Sequence, residues 1–212
     1  MARRIAVLTG DVIDSRKVTD GTQLYNVLDT TLTTLADRHN GRGQRYRGDG
    51  FQLVVADAGQ AMTAAIQLRA ALIQHSEPHQ RWDARLAIAV GDDDWQATQA
   101  LTDADGEVFV RSGQALDAME TPHLSLSLVE AEHDDCLALL TRFIDDLVDG
   151  WSHYSAEIVA LSLQQPATQQ ALAEQLGIRQ PSVHKRLRAA RWALLADTLA
   201  CFEKRLTAPD TR

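Results

Sequence analysis

Arg45-Tyr-Arg-Gly-Asp-Gly-Phe-Gln-Leu-Val-Val55 is the stretch on which the fold prediction depends most. Arg45 to Arg47 and Phe51 to Val55 flank Gly48-Asp49-Gly50, and an Asp-Gly pair between two such runs is typical of a β-hairpin. A strand pattern and a helix pattern precede the hairpin, and a helix pattern and a strand pattern follow it. The hairpin therefore occupies the centre of a β-α-β-β-α-β order.

The segments on either side of the hairpin supply the other elements. Ile5 to Leu8 is a continuous apolar run, which predicts a buried strand. Apolar residues at helical spacing predict one helix between residues 24 and 35 and a second between residues 62 and 73. Alternation from Trp82 to Val90 predicts the fourth strand. The order predicts an α/β (α+β) fold, with a ferredoxin-like palm domain and a βαββαβ core within residues 1–150.

A helix-turn-helix pattern occupies residues 168–191. Thr168 would cap a first helix that ends at Leu176, and Gly177 would allow the turn. Pro181 suits the first turn of the next helix, where no amide hydrogen is needed. We therefore expect an all-α helix-turn-helix domain over residues 151–212 that binds DNA. The outward-facing candidates for DNA contact are Gln180, Ser182, His184, Lys185 and Arg188.

Charge is distributed unevenly along the chain. Residues 166–212 contain eight Lys+Arg and four Asp+Glu, whereas residues 1–165 contain 13 and 25. A basic segment beside an acidic body is typical of local phosphate or nucleic-acid binding. The alternative is a basic helical hairpin that contacts only its own chain.

Composition limits the class of protein. An apolar content of 45% in 212 residues is sufficient for an ordinary globular core. No apolar run approaches the ~20 residues that span a bilayer. Cys136 and Cys201 show no metal-ligand spacing, which predicts two free thiols in a reducing cytoplasm. We expect a cytoplasmic protein with no membrane segment.

Two aspartates are the candidate metal ligands. In a βαββαβ sheet the first and third strands are antiparallel neighbours, so Asp11 after the first strand should meet Asp49 in the hairpin. Paired carboxylates bind Mg²⁺ or Mn²⁺, which can hold a nucleotide polyphosphate or catalyse phosphoryl transfer. Arg45 and Arg47 enter the same hairpin and would contact the phosphates. The alternative is that Asp49 only turns the chain and Asp11 only ends a strand.

Three segments resemble the SatD family of small bacterial proteins: Ile5 to Arg16, Tyr46 to Leu53 and the helix-turn-helix. The resemblance extends from about Ile5 to Leu206 and implies a fold and a regulatory role rather than a defined reaction. The chain also distantly resembles class III nucleotide cyclases and GGDEF domains. Asp11 and Asp49 match the metal-binding aspartates of those enzymes, which implies the same role here.

The chain departs from the cyclase pattern in the segment Gly113 to Thr121. Asp117 stands where cyclases carry an asparagine, and Thr121 stands where they carry an arginine. Both cyclase residues support the transition state. Without the cation, the charge that develops on the phosphates lacks a partner. The resemblance therefore favours a palm that binds a nucleotide without turning it over.

Three functional hypotheses follow. The first, which the sequence favours, is a bacterial DNA-binding transcriptional regulator whose N-terminal domain senses a nucleotide or a metal, or mediates dimerisation; the other two are alternatives. The second is a metal-dependent nucleotidyl- or phosphoryl-transfer enzyme that uses Asp11 and Asp49. The third is a non-catalytic adaptor that binds another protein. The last helix would either form a homodimer seam or pack on its own domain, through Leu195, Leu199, Phe202 and Leu206.

Overall fold

The computed structural model describes residues 2–46, 48–130 and 134–207. In this part of the chain one five-stranded sheet is combined with eight α-helices. The strands are β1 (Arg3–Val12), β2 (Arg42–Arg45), β3 (Gly50–Val55), β4 (Ala84–Asp93) and β5 (Leu124–Leu128). The helices are α1 (Gly21–Arg38), α2 (Ala61–Gln74), α3 (Glu107–Asp117), α4 (Asp135–Asp149), α5 (His153–Gln164), α6 (Gln169–Leu176), α7 (Gln180–Ala189) and α8 (Trp192–Thr207). Among the helices described, none is long and apolar enough to cross a membrane.

The sheet has the strand order β2-β3-β1-β4-β5. β1 is antiparallel to both β3 and β4, and β5 adds to β4 in parallel. The first four strands with α1 and α2 form the βαββαβ arrangement, which confirms the predicted α/β fold class. β1 continues beyond the predicted Ile5–Leu8 run and includes Asp11. Gly10 permits this, because a Cβ there would lie 2.6 Å from both the carbonyl oxygen of Arg85 and the ring of Phe51.

Side-chain alternation divides the sheet into two different faces. Leu8 and Val12 of β1 belong to the large hydrophobic cluster that includes α1 and α2. Val7 belongs to a second, smaller cluster with Phe109 of α3. Asp11 has the same parity as Val7, so its side chain lies on the α3 face. The carboxylate is therefore directed away from the main core.

The C-terminal helices pack on the N-terminal part through the same large hydrophobic cluster. α5 and α8 both contact α2, and Gln67 Nε2 of α2 donates to the carbonyl oxygen of Leu163 at 2.9 Å. The apolar stripe of α8 consists of four residues that are all buried within their own chain: Leu195, Leu199, Phe202 and Leu206. The stripe therefore packs on its own protein and does not form the alternative dimer seam. The division into two domains at residue 150 stays a prediction.

A buried arginine joins α2 to the start of β4 and to α4. The Arg69 guanidinium donates to Asp83 at 2.8 and 2.9 Å, to Asp145 at 2.6 Å and to Asp149 at 2.7 Å. The second carboxylate oxygen of Asp145 accepts from the backbone nitrogen of His123 at 2.8 Å. Burial acts to lower the pKa of Arg69, but the carboxylates, Asp83 first, outweigh it and keep that pKa above its ordinary value. These bonds hold α4 against the β5 edge of the sheet.

Candidate functional site

A cleft beside the end of β1 contains both predicted metal-binding aspartates. The register explains their proximity, because Asp11 pairs with Gly50 and the nitrogen of Val12 donates to the carbonyl oxygen of Asp49 at 3.3 Å. The cleft has a volume of about 580 Å³. Its charged lining comprises the acids Asp11, Asp14, Asp49 and Glu120 and the bases Arg16, Lys17 and Arg85. The structure thus brings Asp11 and Asp49 together, while their role as metal ligands stays a prediction.

Arg85 of β4 holds the Asp11 carboxylate. The two residues are direct partners in the antiparallel register. Arg85 Nε and Nη2 donate to the two oxygens of Asp11 at 2.9 and 2.5 Å, and Nη1 donates to the carbonyl oxygen of Met119 at 3.0 Å. The bond to Asp11 is the main cause of a raised pKa for Arg85, and the charges of Asp49 and Asp117 act in the same direction. The cleft therefore keeps a charged guanidinium beside its carboxylates.

Asp49 is held by the segment that follows β1. Ser15 Oγ donates to Asp49 Oδ2. Asp14, just before Ser15, has a left-handed backbone with φ 53°, and its carboxylate pairs with Lys17 Nζ at 3.0 Å. Aspartate is one of the few non-glycine residues that adopt this region, because its short polar side chain can form local hydrogen bonds. This local backbone conformation places Ser15 against Asp49.

The donor set of the cleft fits a hard divalent cation in its chemistry, since carboxylate oxygens are the ligands that Mg²⁺ and Mn²⁺ prefer. The pairing of Asp11 adds a condition. Both of its oxygens already accept hydrogen bonds from Arg85, so a cation at Asp11 would compete with a guanidinium. Asp11 and Asp49 are the residues that would hold the ion, and its charge would offset that of a polyphosphate.

A second group, Asp83, His123 and Asp149, offers ligand atoms within 4.8 Å of one another and could bind a metal by distance alone. Arginines already bind these carboxylates: Asp83 accepts from Arg69 and Arg81, and Asp149 Oδ1 accepts from Arg69. Burial opposes ionisation of Asp149, but hydrogen bonds from His123 and Arg69 outweigh it and lower the pKa of the carboxyl group. Two guanidiniums in contact with the group disfavour a further cation, so we assign it to the ion-pair network around Arg69.

Arg45 does not face the cleft, contrary to the prediction that it contacts phosphates there. Arg45 pairs with Phe51, whose side chain is part of the core beneath α1. Strand alternation therefore places Arg45 on the helix-covered face. Its guanidinium donates to both oxygens of Asp29 at 2.8 Å and lies 4.5 Å from the ring centroid of Tyr25. Arg47, the other predicted phosphate contact, lies outside the described residues.

Sequence reasoning missed Arg85, although a signal for it was present. Arg85 lies between Ala84 and Leu86 in an alternating strand, so its side chain had to leave the main core. The β1–β4 register then sets it opposite Asp11. Thr121 also lines this cleft. Arg85 thus places a guanidinium in the cleft from a neighbouring strand.

The C-terminal segment has the helix boundaries that the sequence predicts. Thr168 Oγ1 accepts from the nitrogen of Ala171 at 3.1 Å and caps α6, and Gly177 ends α6 with φ 63°. The predicted DNA-contacting side chains are all exposed: Gln180, Ser182, His184, Lys185 and Arg188. Arg186 instead contacts its own chain, where it pairs with Glu157 and lies 4.4 Å from the Tyr154 ring centroid. The DNA-binding role stays a prediction.

Comparisons with known proteins give structural neighbours only. No family model matches the chain, and no curated protein matches it. A GGEEF domain of a diguanylate cyclase from Vibrio cholerae aligns with a TM-score of 0.46 at 15% identity, over 61% of this chain and 85% of that domain's chain. An adenylate/guanylate cyclase/hydrolase from Silicibacter pomeroyi aligns with a TM-score of 0.44 at 18% identity, over 60% and 76%. At these values the similarity assigns no activity to this chain, and the SatD resemblance stays a prediction.

Proposed function

We propose that the chain is a metal-dependent nucleotidyl- or phosphoryl-transfer enzyme whose active site is the Asp11–Asp49 cleft. The observation that carries the proposal is the joint presence of Asp11, Asp49 and the guanidinium of Arg85 in one cleft. Arg16 and Lys17 line the same cleft. Carboxylates that hold a divalent cation, next to fixed basic groups, suit a nucleoside triphosphate.

The aspartates and the arginine of the cleft have different roles in this proposal. Asp11 and Asp49 would hold the cation, which neutralises phosphate charge when bound. Arg85 would stabilise the charge that develops on the transferred phosphoryl group. A hydroxyl oxygen of the acceptor forms a bond to phosphorus, while the bond from phosphorus to the bridging oxygen breaks and its electron pair departs with the leaving group, which is pyrophosphate in nucleotidyl transfer and the nucleoside diphosphate in phosphoryl transfer. The hydroxyl proton passes to solvent.

The test is product formation from Mn²⁺ and each common nucleoside triphosphate, measured by chromatography with the full chain. We expect Asp11→Asn and Asp49→Asn each to reduce turnover at least about 100-fold, the range found when single electrostatic groups are removed from active sites. Asp92→Asn is the matched control, because Asp92 is an exposed aspartate at the other end of β4. Unchanged turnover in both cleft variants would exclude the cleft as the active site.

A second candidate function is DNA binding, and the exposure of a basic face on α7 specifically favours it. Lys185 and Arg188 would contact phosphates or base edges. Replacing both by alanine should weaken binding to fragmented genomic DNA and reduce its dependence on salt concentration. Arg142→Ala is the control, since Arg142 is an exposed basic residue on α4. Equal affinity of the double variant and the parent protein would rule out α7 as the contact helix.

A further inference from the structure

His123 lines the Asp11–Asp49 cleft from the position directly before β5. The sheet places it there, because the backbone nitrogen of Leu86 in β4 donates to the carbonyl oxygen of His123 at 2.8 Å. Leu86 follows Arg85, which is the register partner of Asp11. Neighbouring strands lie ~4.8 Å apart, so two such spacings put roughly 10 Å between the backbones of His123 and Asp11. The two residues therefore flank Arg85 in one cleft.

A carboxylate at the end of α4 orients the imidazole of His123. Nδ1 of His123 lies 2.9 Å from Oδ1 of Asp149, and the backbone nitrogen of His123 donates to Asp145 at 2.8 Å. Burial opposes ionisation of Asp149, but the hydrogen bonds from His123 and Arg69 outweigh it and lower the pKa of the carboxyl group. An ionised carboxylate only accepts hydrogen bonds, so the hydrogen lies on Nδ1. Neutral His123 then has its lone pair on Nε2.

The second ring nitrogen of His123, Nε2, is available to a molecule in the cleft. It makes no hydrogen bond to the residues that the structure describes, and it is not among their buried unpaired atoms. The side chain of His123 is 31% exposed. An imidazole with one nitrogen held by a carboxylate and the other free is arranged to take up and release a proton near neutral pH.

We propose that His123 is the general base of the transfer reaction, an inference that rests on the function proposed for the cleft. As the acceptor oxygen bonds to phosphorus, its proton passes to Nε2 of His123, and the imidazolium then releases this proton to solvent. Asp149 is a positioning residue, because it keeps the hydrogen on Nδ1 and stabilises the imidazolium. The acceptor hydroxyl binds on the β5 side of Arg85, and the triphosphate binds on the β1 side, beside Asp11.

Charged groups surround the imidazole on two sides and affect the pH at which it exchanges its proton. Those on the helix side come from α2, from the residues before β4 and from α4: Arg69, Arg81, Asp83, Asp145 and Asp149. The charged lining of the cleft, described above, lies on the other side. The pH profiles to compare are therefore those of proteins that keep all of these groups, so the main variant changes His123 alone.

The main test is the rate of product formation by the full chain from Mn²⁺ and each common nucleoside triphosphate, measured from pH 5.5 to pH 9. His123→Gln should lower kcat at least about 100-fold with little change in KM, since general-base catalysis contributes roughly 10²–10⁴-fold. The rate of the parent protein should fall at acidic pH as the base becomes protonated, and the variant should lack this fall. His79→Gln, at an exposed position before β4, should behave like the parent.

Two further measurements distinguish a chemical role of His123 from a structural one. Millimolar imidazole should restore part of the turnover of His123→Ala, because a soluble base replaces the missing one, and it should not restore Asp11→Asn. Nitrogen-15 NMR without substrate should show the hydrogen of neutral His123 on Nδ1, with His123→Gln identifying the signal. Asp149→Asn should move part of this hydrogen to Nε2, since an amide can donate to Nδ1.

The outcomes separate this role of His123 from the function proposed for the cleft. Full turnover and an unchanged pH profile in His123→Gln, in a protein that Asp11→Asn inactivates, would overturn the role of His123 and leave the proposed function intact. Hydrogen on Nε2 of neutral His123 in the parent protein would overturn that role whether or not product forms. Absence of product from the parent protein would overturn both together.

Discussion

Arg85 on β4 and Asp11 on β1 are register partners that form a two-point ion pair, with hydrogen bonds of 2.9 and 2.5 Å. The pair lies in the same cleft as Asp49 and about a third of the Arg85 side chain is exposed. The Arg85 guanidinium therefore binds both oxygens through which Asp11 would coordinate a metal, and its exposed part is also available to an anion. Cation binding and phosphate binding at this cleft should be coupled through Arg85.

Arg85→Met should separate these two effects. Without the guanidinium, Asp11 is free to coordinate, so we expect Mn²⁺ alone to bind on the order of tenfold more tightly, equivalent to about 1.4 kcal/mol. The affinity for a nucleoside triphosphate should fall, because a phosphate partner is lost. Calorimetric titration with Mn²⁺ and with each triphosphate measures both changes. Arg111→Met, at a partly exposed position on α3 outside the lining of the cleft, should change neither affinity. A loss of Mn²⁺ affinity in Arg85→Met would contradict the competition.

Gly10 should not tolerate even a methyl group. A Cβ at this position would lie 2.6 Å from a backbone oxygen of Arg85 and 2.8 Å from Leu86, and the backbone oxygen belongs to the paired strand β4. Gly10→Ala should therefore reduce the free energy of unfolding by about 1–3 kcal/mol, the usual cost of overpacking a core. Chemical denaturation measures the change. Gly113→Ala is the control, because a Cβ at Gly113 meets no atom within 4 Å and should be stabilising or neutral in a helix.

Arg69 should be among the residues most important for stability. Arg69→Met leaves Asp145 buried without a guanidinium and Asp83 with Arg81 alone, and breaking a buried ion pair in this way costs about 3–5 kcal/mol. Urea denaturation measures the loss. Adding Asp83→Asn and Asp145→Asn should recover part of it, because the stranded carboxylates are then neutral. If the triple variant is no more stable than Arg69→Met alone, unpaired charge is not the cause.

His39 should make stability depend on pH near neutrality. Burial lowers the pKa of His39 below its ordinary value of 6.5, and the charge of Arg38 acts in the same direction. Between the lowered value and 6.5, the unfolded state binds more protons than the folded state, so acidification favours unfolding. The free energy of unfolding should be highest above pH 6.5 and should fall as the pH decreases below it. Urea denaturation from pH 8 to pH 5 should show a smaller slope for His39→Leu, whereas His79→Leu, at an exposed position, should keep the parent slope.

Local sequence patterns were sufficient for the elements that depend on a repeating apolar face. The stripes within α1 and α2, the alternation in β4 and the Asp49-Gly50 turn each contain their own signal, because burial of one face imposes a period on the chain. The pairing of Asp11 with the hairpin also followed, since a βαββαβ order allows few topologies. The predicted ends of the strands were less accurate. β1 extends past Leu8, because Gly10 lets the neighbouring strands β3 and β4 approach closely, and this approach is visible only in the folded sheet.

Those patterns could not predict which side chains contact one another. Arg45 and Arg85 are both arginines in strands, yet Arg45 binds Asp29 on the helix-covered face and Arg85 binds Asp11 in the cleft. The face of Arg45 depends on its pairing with Phe51, and the partner of Arg85 depends on the β1–β4 register. A shift of one residue in either register would reverse the face on which the side chain lies.

The sequence by itself determined the order of strands and helices, the exposed basic residues of α7 and the meeting of Asp11 with Asp49, because each follows from local periodicity, capping or strand order. Tertiary structure alone decided that Arg85 neutralises Asp11, that Arg69 joins three buried or half-buried aspartates, and that Asp149 orients His123 in the cleft. These features join residues far apart in the chain. The energies of such contacts depend on distances of a few ångströms, which packing sets and local sequence does not.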